Sequence, residues 1–156
     1  MTSSPHLRDG TERDFAALGE LMYAALHNGH TQYSKAHSPA WAPEPRRGRD
    51  WAERLAEKSI IVAEDTDRIL GFMTVQPGGY IDFAFIRPAA QGTGLFRQLY
   101  EAIERRAMDW KEPSLSTHAS LMAQPAFAAV GFQIVQREIV RVDTQKLKRA
   151  EMTKSL

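Results

Sequence analysis

Apolar positions in this chain follow two rhythms, and the order in which the rhythms alternate predicts an architecture. His6-Leu7-Arg8-Asp9 reads as a short opening strand. Thr11 with Asp14 three positions on is a helix-start signal. Phe15, Leu18, Leu21, Met22 and Ala25 then recur at helical spacing as far as Asn28-Gly29. Residues 29–49 lose both rhythms and predict a long irregular segment on the substrate side, with Tyr33 and Trp41 as its aromatics. Asp50 is placed to cap a helix over 51–57. Strand-type runs follow at Ser59 to Asp65 and Ile69 to Gln76, and again at Tyr80 to Arg87 after the turn Pro77-Gly78-Gly79. From Gly94 to Trp110, Leu95, Leu99, Ala102, Ile103 and Ala107 share one helical face. Ser114 to His118 is the next strand, parallel to 80–87 because a helix crosses between them. A short helix over 122–130 closes at Gly131, and Phe132 to Val142 is the final strand. The predicted class is mixed α/β: a mostly antiparallel central sheet of about six strands, with helices on both faces.

Composition narrows the function. A chain of 156 residues is one domain by length, 1–156. Its hydrophobic content of 43% and charged content of 25% are ordinary for a globular protein. A net charge of +1 argues against a dedicated nucleic-acid partner, even with the basic run Arg46-Arg47-Gly48-Arg49. The absence of Cys removes disulfides, cysteine nucleophiles and cysteine–zinc sites, and it fits a reducing cytoplasm. No apolar run approaches the ~18 residues a membrane helix needs, so no membrane partner is expected. His27, His30 and His37 lack a companion carboxylate set and predict no metal site.

The most informative segment is Arg87-Pro88-Ala89-Ala90-Gln91-Gly92-Thr93-Gly94-Leu95-Phe96-Arg97, between a strand and an amphipathic helix. Amides that open a helix have no intrahelical acceptor, and the macrodipole puts partial positive charge there, so the turn predicts an anion site for a phosphate-bearing cofactor. A dinucleotide fingerprint starting at Gly92 needs glycine at 97, which is Arg97, and no Walker tripeptide exists in the chain. What remains resembles the acetyl-CoA signature Q/R-x-x-G-x-G/A of the GNAT superfamily of N-acetyltransferases, with Gln91 and Gly94 fitting and Phe96 departing from it. The resemblance extends to Ile60-Ile61-Val62-Ala63-Glu64 and Ile69-Leu70-Gly71-Phe72, similar to the family's two central strands. It also covers Ser120 to Phe132, similar to N-x-x-A-x-x-F-Y-E-K-x-G-F, with Ser120 in place of Asn and Phe127 in place of Tyr.

This resemblance implies acetyl-CoA as acyl donor and an amine as acceptor, with direct transfer between them, no metal, and a homodimer as a common assembly. It implies that Gln91, Gly92, Thr93, Gly94, Leu95, Phe96 and Arg97 hold the pyrophosphate, with Ser120 and Phe127 also on the cofactor. A backbone amide near Phe85 or Ile86 would face the thioester oxygen. Phe127 stands where the family often carries a tyrosine acid, and a phenyl ring cannot donate a proton. The resemblance also admits a rival, a CoA-binding regulator without turnover.

The remaining candidates come from residue type and position. Asp82 lies among apolar strand residues: it is a base or cation receptor for the amine, or a hydrogen-bonded strand carboxylate. His118 ends a strand beside the expected cleft and is a base, a substrate ligand or a structural residue. Tyr80 alternates onto the side of Asp82 and is placed with the substrate. Tyr33 and Trp41 either close over the substrate or anchor their segment to the core.

Overall fold

The computed structural model describes residues 5–28, 44–142 and 145–156. The strands are β1 (His6–Asp9), β2 (Ser59–Glu64), β3 (Ile69–Val75), β4 (Tyr80–Ile81), β5 (Ala84–Ile86), β6 (Ser114–Ser120), β7 (Gln133–Val142) and β8 (Gln145–Ser155). The helices are α1 (Phe15–Asn28), α2 (Gly48–Ala56), α3 (Leu95–Asp109) and α4 (Gln124–Ala129). Single 3-10 turns at Glu12–Asp14 and Pro88–Ala90 lead into α1 and into the glycine turn. Two four-stranded sheets result, in the orders β1-β2-β3-β5 and β4-β6-β8-β7. Every ladder is antiparallel except β4 with β6.

The central strands are apolar on both faces, and their two-residue period sorts side chains into two cores. Ile60, Val62 and Phe72 point to one face and meet Leu18, Leu21, Trp51 and Leu55 of α1 and α2. Ile61, Ala63 and Met73 point to the other and meet Leu95, Leu99, Tyr100 and Ile103 of α3. The predicted layering of helices on both faces is therefore observed.

The sequence reading differs from the structure in three places. The run 80–87 is two strands rather than one, because the chain changes partners at Asp82-Phe83. β4 pairs with β6 through Tyr80↔Ser116 and Ile81↔Thr117, whereas β5 pairs with β3 through Ala84↔Met73 and Phe85↔Phe72. The C-terminal segment, for which no strand was expected, is the 11-residue strand β8, which inserts between β6 and β7. Its helix-favouring run Lys146-Leu147-Lys148-Arg149-Ala150-Glu151-Met152 takes strand form because Leu147, Ala150 and Met152 are buried there, so tertiary contact overrides propensity. Finally, α2 begins at Gly48, with Arg47 rather than Asp50 at its N-cap.

The start of α1 carries the chain's most enclosed described carboxylate. Asp14 accepts the N–H of Thr11 at 2.7 Å and a two-pronged pair from Arg8 at 2.8 and 2.9 Å, and Arg8 also reaches Glu64. The Arg8 hydrogen bonds outweigh the opposing effect of burial and hold the Asp14 carboxyl below its ordinary value. A depressed native pKa stabilises the fold above the unfolded value of about 3.9 and loses that contribution as pH falls from there through the lower folded value. The urea midpoint is therefore expected to drop between about pH 5 and 3, and Asp14→Asn should flatten that drop. An unchanged acid limb in the variant would assign it to other carboxylates.

Candidate active site

The change of partner at Asp82-Phe83 opens the site. Ser116 N–H bonds Gly79 O at 2.9 Å, and the buried Thr117 hydroxyl bonds Ile81 O at 2.9 Å. Thr74 N–H then takes Phe83 O at 2.9 Å, and Arg87 N–H bonds Leu70 O at 2.7 Å. Hydrogen-bonding direction alternates along an antiparallel strand, so Phe83, Phe85 and Arg87 turn their backbone groups toward β3. Those of Ala84 and Ile86 turn the other way, into the space left by β6. Of the two residues expected there, Phe85 is committed to β3, whereas Ile86, like Ala84, faces the open space. Ile86 O accepts from the Gln91 side chain at 3.1 Å, which leaves its N–H for another partner.

The space between β5 and β6 is a cleft of about 420 Å³. Asp82, Phe85, Ile86, Gln91, Gly92, Phe96, His118, Ser120 and Phe127, all named from sequence, line it. Ala25 and Leu26 of α1, Thr117 and Met122 line it as well and were not foreseen. They carry no chemical signature, and only the topology brings them there. Phe127 is buried at 2% exposure and meets Phe96 and Phe132 edge-on, each at 5.1 Å between ring centres. The Phe96 ring, the departure from the family turn, is thereby tucked inward against Phe127. Ser120 Oγ accepts Ala123 N–H at 3.2 Å, and a Schellman pair at Gly131 and Phe132 closes α4.

The glycine turn forms one end of the cleft. Gly92 and Gly94 sit at φ 76° and 84°, where only glycine is unstrained, and nothing lies within 4 Å of a Cβ built at either. Gly94 is the N-cap of α3 and offers no side chain to the first amides, and the first turn carries no acidic residue. The first α3 bond runs from Gln98 N–H to Gly94 O, so the N–H groups of Leu95, Phe96 and Arg97 lack helical acceptors. The Leu95 side chain is in the core, and the Thr93 hydroxyl donates to Ala90 O at 2.6 Å. Arg97 is exposed and adds positive charge to the same helix end. This is a helix N-terminus without its own counter-charge.

At the other end lie the polar candidates. Tyr80 Oη is 2.8 Å from His118 Nδ1, a pair joined across β4 and β6. His118 Nε2 faces Glu138 at 3.7 Å and Glu151 at 4.0 Å. Arg149 donates to Glu138 at 2.9 Å. Burial, and then the nearby Asp82 charge, push the Tyr80 phenol above its ordinary value. Asp82 accepts both prongs of Arg54, at 3.1 and 3.2 Å, and pairs with Lys58 at 3.3 Å. The Arg54 guanidinium also covers the Phe83 ring at 4.6 Å. Both Asp82 oxygens are therefore engaged by cations of α2 and the turn after it. Tyr33 and Trp41 lie outside the described residues, as do His30 and His37. Among the described residues no cluster of metal-ligand type forms, and no helix is long and apolar enough to cross a membrane. Asp65, which opens an Asp-Thr-Asp run, simply accepts the N–H groups of Asp67 and Arg68 at 2.8 and 2.9 Å.

The model of the acetyltransferase (GNAT) domain matches residues 21–155. The chain belongs to the GNAT acetyltransferase family. It is 29% identical over 137 residues to the uncharacterized N-acetyltransferase YafP of Escherichia coli K12, which spans 86% of this chain and 85% of that protein. A GCN5-related N-acetyltransferase from Rhodopseudomonas palustris superposes with a TM-score of 0.88 at 26% identity, over 100% of this chain and 98% of that one. The phosphinothricin acetyltransferase of Sinorhizobium meliloti, solved with acetyl-CoA, shares the fold with a TM-score of 0.74 at 17% identity, over 99% and 89% of the two chains. The superposition on the Rhodopseudomonas palustris protein covers the whole chain, the split of 80–86 and β8 included. The protein is an acyltransferase by family, and its acceptor is the open variable.

Proposed function

We propose that this protein moves acetyl from acetyl-CoA to a primary amine of a small molecule or peptide by direct attack. The observation that carries the reading is the cleft between β5 and β6, with unpaired strand groups along one wall and uncapped α3 amides at its end. The residues fit the donor. The N–H groups of 95–97 suit a diphosphate, the free edge of β5 suits the amides of a pantetheine arm, and Phe96 and Phe127 give an apolar wall. Acetyl-CoA supplies an activated thioester.

The chain's own residues supply the rest. The Ile86 or Ala84 N–H donates a hydrogen bond to the carbonyl oxygen as negative charge develops on it. An alkylamine of pKa about 10 is only about one part in a thousand neutral at pH 7, a handicap of about 4 kcal/mol, so proton removal matters. Asp82 is saturated by Arg54 and Lys58 and is assigned to shaping the wall. His118 is the proton acceptor. Phe127 offers no acid, but a thiol of pKa about 8.5 leaves as thiolate near neutral pH at a cost of only about 2 kcal/mol.

The test is calorimetry with acetyl-CoA, followed by a thiol-release screen across amino acids, polyamines, aminoglycosides and N-terminal peptides. Binding with amine-dependent release is the expected result. Tight binding without release by any amine would instead favour the CoA-binding regulator, which the Phe127 replacement makes the second reading. No binding would remove both.

A further inference from the structure

We infer that Tyr80 is a catalytic residue, its hydroxyl relaying the amine proton to His118. The inference rests on the acetyl-transfer reading and adds to it a path for the proton.

The path follows from which groups face each ring nitrogen. Nε2 looks at two carboxylates, Glu138 at 3.7 Å and Glu151 at 4.0 Å. A lone pair aimed at two negative charges is unfavourable and an N–H is favourable, so the neutral ring carries its hydrogen on Nε2. Nδ1 then holds the lone pair, and at 2.8 Å it accepts from the Tyr80 hydroxyl. The Tyr80 phenol faces His118 and Asp82, both of which line the cleft, and the relay seats the amine between those two residues, against the phenol oxygen. A half-buried phenol beside Asp82 keeps its proton near neutral pH and cannot act as a base by itself. Backed by an imidazole it can: the phenol oxygen takes a proton from the amine as its own proton passes to Nδ1.

The balance is complete. The amine N–H bond breaks as a new phenol O–H forms, and the old phenol O–H breaks as Nδ1–H forms. The amine nitrogen bonds the acetyl carbon, and the C–S bond breaks with its pair on sulfur. The resulting imidazolium points Nε2–H at Glu138 and Glu151. Glu138 is itself held by Arg149 of β8, so elements on three sides of His118 take part: β4, β7 and β8. The other charges around the phenol are Asp82 and Arg54.

Two measurements on the full chain test this. In nitrogen-15 NMR of histidine-labelled wild type near pH 8, the neutral His118 ring is expected with its hydrogen on Nε2. Tyr80→Phe is expected to lower kcat for the best amine by about 100-fold or more, within the range of proton-transfer catalysis, with acetyl-CoA affinity and KM within threefold of wild type. A ring protonated on Nδ1 would overturn the relay, since that nitrogen would then donate to Tyr80. Wild-type kcat in Tyr80→Phe would overturn it too, with transfer itself intact. Absence of release in the wild type would instead overturn the transfer reading on which the relay rests.

Discussion

Gly94→Asp is expected to weaken acetyl-CoA binding by about 100-fold or more, equivalent to at least about 2.7 kcal/mol. The residue sits at φ 84° as the N-cap of α3, and a side chain there would point into space free of protein atoms. Nothing in the fold therefore resists its volume. Strain from the left-handed backbone is about 1 kcal/mol, and aspartate tolerates that region better than most residues. The effect on binding comes from charge and position. An N-cap carboxylate accepts the amides of the second and third helical residues, here Phe96 and Arg97. It would occupy intramolecularly the donors assigned to the diphosphate, and it would repel a diphosphate that approached. Gly94→Asn is the matched control, since it has the same shape and backbone tolerance without the charge, and a loss of under about tenfold is expected. Calorimetry with acetyl-CoA reads both, and thermal melting reads the strain. If both variants bind as the wild type does, the diphosphate lies elsewhere.

The turn was legible because its chemistry is written in backbone terms. Two glycines at fixed offsets from a strand end and an apolar helix face survive any tertiary context. The class and layering of the fold were legible for a similar reason. Ile60-Ile61-Val62-Ala63 is apolar at every position, and such a strand must be covered on both faces. The split between β4 and β5 was not legible, since Tyr80 to Arg87 has continuous strand character. Asp82 was noticed there, but nothing local announces that its neighbours change partners. β8 was missed because Lys146 to Met152 favours a helix when read alone, and its inward residues become meaningful only beside β6 and β7.

The polar end of the site shows the same division. Asp82 stood out as a carboxylate among apolar strand residues and His118 as a strand-end histidine beside the expected cleft, yet their partners come from elements far away in sequence. Arg54 and Lys58 reach Asp82 from the end of α2, and Glu138 and Glu151 reach the histidine region from β7 and β8. Asp82 has both oxygens held by cations, whereas His118 turns one ring nitrogen to Tyr80 and the other toward two carboxylates. On that contrast rests the proposal of His118 as the base. The sequence contained both residues but not the registers that separate them.

His118→Ala is accordingly expected to lower kcat/KM for the amine by about 10²- to 10⁴-fold, the usual contribution of a positioned base. Acetyl-CoA affinity should stay within about threefold, because the assigned diphosphate donors belong to α3 at the other end of the cleft. Removing the imidazole leaves Tyr80 with no acceptor for its proton, so only amine that has already lost its proton can attack. The rate should then climb with pH toward the amine's own pKa of about 10, tenfold per unit over most of the range. Wild type should be far less steep near neutrality. Added imidazole, small enough for the space vacated, should restore part of the activity. The profile distinguishes a lost base from a disturbed fold: a damaged site lowers the rate at every pH, whereas a missing base lowers it most where the amine is protonated. A uniform loss across pH with no imidazole rescue would make His118 a structural residue.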